Sequence, residues 1–219
     1  MSGQAPERLS FPTREEWLAA RGRGIGASES AAACGLSPFM TNYDLWMIKT
    51  GKSDPPDLSA SEAVNFGHRA EDALRQLFMA KHPEFTLEYH PYDMLYQEKR
   101  AWLYATLDGE LITTDGRRGI LEVKTARIEK SYQWEQWAGR IPDHYYTQIC
   151  HQFLAAGETY EFAYVFALLT KYTGDCELRT YEFGRADCEG DMGFVLKSEE
   201  DFWTRVKTGQ APPMLLPKI

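Results

Sequence analysis

Two carboxylates and a lysine bracket a turn in this chain. Asp108-Gly109-Glu110 runs into a glycine-bearing turn, and Ile120-Leu121-Glu122-Val123-Lys124 runs out of it. Side chains alternate along a strand, so Glu122 and Lys124 share one face while Leu121 and Val123 take the other. A hairpin folded about residues 114–118 brings Asp108 close to the position opposite Lys124. Two carboxylates so placed can share a hard cation such as Mg2+, which takes oxygen ligands and keeps several waters. Such a cation polarises a phosphate and lowers the pKa of bound water, and a lysine beside it can orient that water or offset developing charge. The chemistry implied is metal-dependent cleavage of a phosphodiester. The plain alternative is a surface hairpin whose Glu and Lys form an ordinary cross-strand pair.

Three other groups of residues could join that chemistry. Glu71 lies at the border of the apolar stripe of a long predicted helix, where a carboxylate is costly unless paired or facing a cation; the alternative is pairing with Arg75 at i+4. Tyr145, Gln148 and Gln152 recur at i, i+3 and i+7 on a later helix, so a phenol and two amides share one face. Their alternative is a solvated polar face. Arg21 and Ser28 flank a glycine-rich stretch feeding an Ala-rich helix, where backbone N–H groups, a guanidinium and a hydroxyl could form an anion pocket. Gly-x-Gly-x-Gly alone is a weak signal, and no strand of a dinucleotide-binding unit precedes it. His68 has no second histidine at ligand spacing and receives no metal role.

The elements that must position these residues follow from periodicity and punctuation. A short helix is predicted over Thr13–Arg21, with Thr13 and Glu16 as its capping box, then the Ala-rich helix and another over Asn42–Lys49. Ser61 to about Lys81 is the strongest helix, with Phe66, Ala70, Ala73, Leu74, Leu77 and Phe78 as its apolar stripe. Strands are predicted near 86–96, 102–113 and 119–125, with Asp115-Gly116 as the hairpin turn. Pro142 opens a helix over 142–156, a second hairpin spans 160–170 and 177–183 across residues 172–175, and a last helix covers 191–207. The irregular segment APPMLLPKI follows. The first twelve residues read as a flexible N-terminus and 13–219 as one domain: an α/β fold with a mixed β-sheet flanked by helices.

Composition limits the function classes. With 219 residues, 43% hydrophobic and 26% charged, the chain is a globular protein with a real core. It has no apolar run long enough to span a membrane and no signal core at its start. Cys34, Cys150, Cys176 and Cys188 are widely spaced without a C-x-x-C pair, which fits a reducing cytosol and argues against a disulfide framework or zinc site. A net charge of −8 argues against a nucleic-acid partner, although phosphate binding depends on local clusters such as Arg117–Arg118 rather than on the average.

Taken in order, five blocks resemble the phage lambda exonuclease type of viral recombinase nuclease, the YqaJ-like or alkaline exonuclease family of the PD-(D/E)XK nuclease superfamily. They are Glu16-Trp17…Arg21 leading to Ile25-Gly26-Ala27-Ser28-Glu29, Phe66-Gly67-His68-Arg69-Ala70-Glu71, Leu107-Asp108-Gly109, Leu121-Glu122-Val123-Lys124, and Tyr145-Tyr146-Thr147-Gln148. The likeness covers roughly residues 14–170. Leu107 stands where the superfamily has proline before the aspartate, which leaves the ligand itself intact.

The resemblance implies a toroidal homotrimer threaded by duplex DNA. Such a ring digests one strand from 5′ ends to mononucleotides and leaves 3′ overhangs for strand annealing. It implies two Mg2+ ions, with Mn2+ as a substitute, held by Asp108, Glu122, the Val123 carbonyl and Glu71. Lys124 would activate the attacking water, with Gln148 and Tyr145 positioning it and the phosphate. Arg21, Ser28 and Thr106 match the pocket for the terminal 5′-phosphate, and a strand-separating wedge falls on Phe39 and Met40. A single-strand annealing protein is the implied partner, and a phage or prophage gene acting in the bacterial cytosol the implied setting. A ring also reconciles the acidic charge with DNA, if basic residues line its channel.

Two alternatives stay open. A RecB-like relative of the same superfamily carrying an iron–sulfur cluster needs a clustered cysteine triplet that these four cysteines lack. A DNA-binding recombination module with a degenerate site is countered by the presence of Glu71, Asp108, Glu122 and Lys124 together.

Overall fold

The computed structural model of the chain describes residues 5–171 and 173–215. The elements run β1 (Glu7–Ser10), α1 (Arg14–Arg21), β2 (Ile25–Gly26), α2 (Ser30–Ala33), α3 (Asn42–Lys49), α4 (Glu62–Lys81), β3 (Phe85–Glu88), β4 (Asp93–Tyr96), β5 (Leu103–Ala105), β6 (Gly109–Thr113), β7 (Arg118–Ile128), α5 (Ser131–Glu135), α6 (Asp143–Ala156), β8 (Tyr160–Lys171), β9 (Cys176–Gly184) and α7 (Glu189–Thr208). Short polar side chains start the helices at the expected places. Thr13 Oγ1 accepts the Glu16 N–H, Thr41 and Asp44 cap each other's backbone, and Ser61 Oγ accepts the Val64 N–H.

The strands form two mixed sheets rather than one. A five-stranded sheet has the order β3-β6-β7-β8-β9, and a four-stranded sheet has the order β1-β4-β5-β2. In the larger sheet only β7 and β8 are parallel. Parallel neighbours need a crossover, and α6 supplies it. The predicted strand stretches 86–96 and 102–113 each break in two, because their halves pair in different sheets: β3 and β6 in the larger, β4 and β5 in the smaller. Residues 7–10, read as part of a flexible start, form β1 beside β4. Their polar sequence carries no strand signal; Arg8 holds them by reaching Asp93 and Glu110.

Strand alternation sorts the core into two layers around the larger sheet. Leu121 and Val123 of β7, with Phe162 and Phe166 of β8, face α4 through Leu74 and Phe78. Ile120 of β7, with Ala163, Val165 and Ala167 of β8, faces α6 through Ile149 and Phe153. Leu95, Leu103 and Ala105 of the smaller sheet join that second layer, so the two sheets share one core. The stripe of α4 is narrower than predicted, since Phe66 and Leu77 stay exposed and Leu74 and Phe78 carry the burial. Gly67 sits where α4 crosses β7: a Cβ there would lie 3.2 Å from Thr125 Oγ1. At the β6–β7 turn Gly116 has φ 87°, which a side chain would disfavour.

One buried polar pair fixes α6 in place. His151 Nδ1 lies 2.7 Å from Glu199 Oε1 of α7, and Nε2 lies 2.9 Å from the Tyr104 carbonyl of β5. Both side chains are fully buried. The carbonyl contact requires a proton on Nε2. Burial lowers the imidazole pKa, but the Glu199 carboxylate and the two hydrogen bonds outweigh it and hold the value above normal. A raised folded pKa means that the pair's contribution is complete below about pH 6.5, the unfolded value, and fades as pH rises through the folded one. Glu199→Ala leaves the imidazole without its counter-charge, so urea denaturation at pH 6 should show a loss of about 3–5 kcal/mol, shrinking at alkaline pH. An equal loss at every pH would contradict the charged pair.

Candidate active site

The site forms where β6, β7, α4 and α6 meet. Gly109 pairs with Leu121 across the antiparallel β6–β7 ladder, so one step further Asp108 falls opposite Glu122, two residues short of Lys124. The Val123 N–H donates to Asp108 Oδ2 at 2.8 Å and fixes that carboxylate against β7. From the α4 side, buried Arg75 donates to the Asp108 carbonyl at 3.5 Å and lies over the Tyr89 ring at 3.9 Å. The alternative Glu71–Arg75 ion pair is not made. Glu71 is half-buried, with His68 Nδ1 3.9 Å from its carboxylate.

Glu122 is 3% exposed and accepts from three directions. Lys124 Nζ lies 2.6 Å from Oε1, Gln148 Nε2 donates to the same oxygen at 2.7 Å, and Gln152 Nε2 donates to Oε2. Gln148 Oε1 in turn accepts from Lys124 Nζ at 2.9 Å, closing a ring of three side chains. The Tyr145 ring centre lies 4.8 Å from Lys124 Nζ. The helical spacing of Tyr145, Gln148 and Gln152 thus turns one face of α6 onto β7 rather than to solvent. Gln152 was legible in that spacing and belongs with the other two.

These contacts set the electrostatics. Burial, then the neighbouring Glu122 carboxylate, push Asp108 up to about 8, against the pull of Lys124 and the Val123 amide. Glu71 is also raised, chiefly by burial. Burial acts to lower Lys124, but Glu122 and then Asp108 outweigh it, so its ammonium holds its proton more tightly than a free lysine. Asp108 and Glu122 face each other across the ladder with Glu71 in electrostatic reach, so the donors here are all oxygen. Such a pair fits a hard divalent cation, which would replace the proton on Asp108.

One three-ligand metal-capable group exists among the described residues, apart from that pair. Ligand atoms of Glu88, His90 and Glu110 lie within 4.8 Å of one another. Glu110 is already occupied there: Arg8, Arg118 and the Tyr160 hydroxyl all donate to it. A cation at that place competes with two guanidinium groups, whereas at Asp108 and Glu122 it meets one ammonium, Lys124. Cysteines contribute to no metal-capable group among the described residues, and all four are free.

The predicted anion pocket is assembled in part. Arg21 Nη2 donates to Ser28 Oγ at 3.2 Å. Thr106 joins them only through Trp17, whose Nε1 donates to Thr106 Oγ1 at 3.1 Å while its ring lies 4.7 Å from the Arg21 guanidinium. Thr106 Oγ1 itself donates to the Asp93 carbonyl. The Tyr104 hydroxyl and Lys49 Nζ both donate to the Arg21 carbonyl, which ties the end of α1 to the core. Trp17 and Arg21 are i and i+4 on α1, a spacing that could have been read as a stacked pair. Arg75, an arginine beside Leu74 on the buried stripe, was also missed. Of the two wedge candidates, Met40 packs against the Ile25–Leu45–Trp46 cluster, whereas Phe39 is 80% exposed.

Asp108 gives a direct test. Its folded pKa lies above the usual carboxylate value of about 3.9, so the metal-free protein loses stability progressively as pH rises from about 4 to about 8. Asp108→Asn should raise the melting temperature of the metal-free protein at pH 9 by roughly 3–6 °C, for about 1–2 kcal/mol regained, a gain that shrinks as pH falls and is nearly gone by about pH 4. Mg2+ should stabilise the natural protein at pH 9 and leave the variant unchanged. Equal melting temperatures at pH 9 would remove the strain assigned to Asp108.

Comparison with known proteins places this geometry. Residues 16–159 match the model of the YqaJ-like viral recombinase domain. The uncharacterized protein YqaJ of Bacillus subtilis (strain 168) is 31% identical over 216 residues, covering 92% of this chain and 59% of that protein, so the chain spans about three-fifths of its relative's length. The crystal structure of an alkaline exonuclease, LHK-Exo from Laribacter hongkongensis, superposes with a TM-score of 0.60 at 14% identity, covering 90% of this chain and 96% of that one. LHK-Exo in complex with dAMP gives 0.61 at 16% identity with the same coverage. At these identities the structures speak for the fold, and the family follows from the domain match and the YqaJ relative. The chain belongs to the YqaJ-like viral recombinase family.

Proposed function

We propose that this protein is a Mg2+-dependent exonuclease of duplex DNA that digests one strand from 5′ ends and leaves 3′ single-stranded overhangs. The observation that carries the reading is the buried Glu122, held by Lys124, Gln148 and Gln152 beside an Asp108 pushed up to about 8. A structural ion pair does not need a second carboxylate crowded against the first. A cation site does.

Asp108 and Glu122 would hold the first metal, with the Val123 carbonyl beside them, and Glu71 would help to hold a second. Bound there, the metal supplies polarisation of the scissile phosphate and a lowered pKa for its water. Lys124 keeps its proton, so its part is to donate: it orients the attacking water and offsets charge on the phosphate. Gln148 fixes Lys124 and Glu122 relative to each other, and Tyr145 lies against the lysine as a neutral phenol, its pKa raised chiefly by burial. Arg21, Ser28 and Thr106, held together by Trp17, would receive the terminal 5′-phosphate. That contact would set direction, since only one strand end places its phosphate there. LHK-Exo is described as an alkaline exonuclease, and one structure holds dAMP; both descriptions agree with release of mononucleotides here.

The reading extends to assembly and setting. A toroidal homotrimer around the duplex, with basic residues lining its channel, reconciles a net charge of −8 with a DNA substrate. A single-strand annealing protein would take the 3′ overhang. No helix of the described residues is long and apolar enough to cross a membrane, and the bacterial cytosol is the setting we propose, for a gene of phage or prophage origin.

Duplexes labelled separately at each end, digested with Mg2+, test activity and direction together. Loss of the 5′ label first, as acid-soluble mononucleotide, is expected; 3′-label release first contradicts the polarity. Lys124→Ala should lower the rate by at least about 100-fold. Arg21→Ala should erase any preference for 5′-phosphate over 5′-hydroxyl ends; an unchanged preference removes Arg21 from the pocket.

A further inference from the structure

An aromatic row leads outward from the reaction centre, and the phosphate chemistry above uses only its inner end. Lys124 Nζ lies over the Tyr145 ring. The His144 ring lies against Tyr145 with centroids 4.0 Å apart, and Phe39 meets His144 edge-on at 5.4 Å and 90°. The row begins at a charged group beside Glu122 and ends in solvent, because Phe39 is 80% exposed.

Two features of the row are unfavourable in the free protein. Phe39 presents a large apolar face to water, yet the turn that carries it is pinned. Ser37 Oγ accepts the N–H of both Phe39 and Met40, at 3.1 and 3.3 Å, and Met40 packs inward. The exposure is therefore built into the turn. Next to it, His144 Nε2 is buried with no hydrogen-bond partner among the described residues. A buried polar group left unpaired is unfavourable. The imidazole is also neutral, because burial and then Lys124 push it down to about 4. The outer row is thus aromatic and uncharged, unlike the ring of charges at Asp108, Glu122 and Lys124.

A second phosphate finds no cation in that outer row. A nucleobase matches it: a flat π surface for the exposed Phe39 ring, which His144 meets edge-on. We propose that Phe39 and His144 form a seat for the nucleobase attached to the phosphate held at Asp108, Glu122 and Lys124. This rests on the nuclease reading and adds the group that the site recognises beyond the phosphate. Stacking is tolerant of base identity and is worth about 1–3 kcal/mol per base. The seat therefore distinguishes a base from its absence, and one base from another far less.

The test is equilibrium binding by titration calorimetry, comparing dAMP with 2-deoxyribose 5-phosphate, which has the same sugar phosphate without the base. The full chain with Mg2+ should bind dAMP about 5- to 150-fold more tightly, the factor that stacking of this size gives. Phe39→Ala and His144→Ala should bring the ratio toward one while leaving the affinity for 2-deoxyribose 5-phosphate unchanged. Phe39→Trp should keep the ratio. Phe39 is on the surface, so its variants should melt as the natural protein does. Equal affinities in the natural protein, or a ratio unmoved by Phe39→Ala, overturn the seat. The nuclease reading is judged separately by duplex digestion: a protein that digests duplex but shows no base preference refutes the seat alone. A protein that prefers dAMP through Phe39 but digests nothing keeps the base contact and refutes the reading beneath it.

Discussion

Strand register forces Asp108 and Glu122 to face each other at a place with little access to water, and the surrounding structure is organised by that repulsion. The antiparallel pairing of Gly109 with Leu121 sets Asp108 opposite Glu122, which is buried. Lys124 answers part of the charge, two α6 amides answer part of the hydrogen bonding, and the Val123 N–H holds the aspartate. The remaining charge is met by a proton on Asp108, pushed up to about 8. Buried carboxylates crowded in this way weaken a fold unless they face a cation. The arrangement makes sense as a site whose stability is completed by its metal.

Helix α6 is the element through which the rest of the molecule supports that site. As the crossover between β7 and β8, it must lie on the face to which Glu122 points. His151, one position before Gln152, then locks it to α7 and β5 through Glu199 and the Tyr104 carbonyl. The side chain of the same Tyr104 donates to the Arg21 carbonyl. One chain of contacts therefore runs from the amides beneath Glu122 to the backbone of Arg21 at the end of α1. The smaller sheet completes that link, because Thr106, directly after β5, meets Trp17 of α1. Distances between the two halves of the site are set by buried groups rather than by surface loops.

Local signals were legible in the sequence, and long-range pairings were not. Asn42–Lys49 begins and ends where its cap and glycine place it, and the 114–118 turn sits at Gly116 as its composition required. Glu122 and Lys124 share a face because strand alternation leaves no other choice. The division into two sheets was hidden, since strand propensity does not state which partner a strand takes. Strand β1 was hidden because Glu7-Arg8-Leu9-Ser10 is held by an arginine reaching residues 85 and 102 positions away. Arg75 entered only as the alternative partner for Glu71 at i+4, whereas it reaches Asp72 and the Asp108 carbonyl. His144 read as nothing, because its environment comes from Phe39 and Lys124, both distant in sequence. The resemblance of five short blocks bridged these gaps for the family, and the roles proposed for the site residues come from that same resemblance.

The central claim is that a divalent cation belongs between Asp108 and Glu122, and that the Glu88–His90–Glu110 group is neutralised by arginines instead. Anomalous diffraction from crystals grown with Mn2+ tests it directly, since manganese scatters where the protein does not. The account predicts a peak bounded by the Asp108 and Glu122 carboxylates, lost in Asp108→Asn. A peak at Glu88, His90 and Glu110, with none beside Asp108, would contradict it.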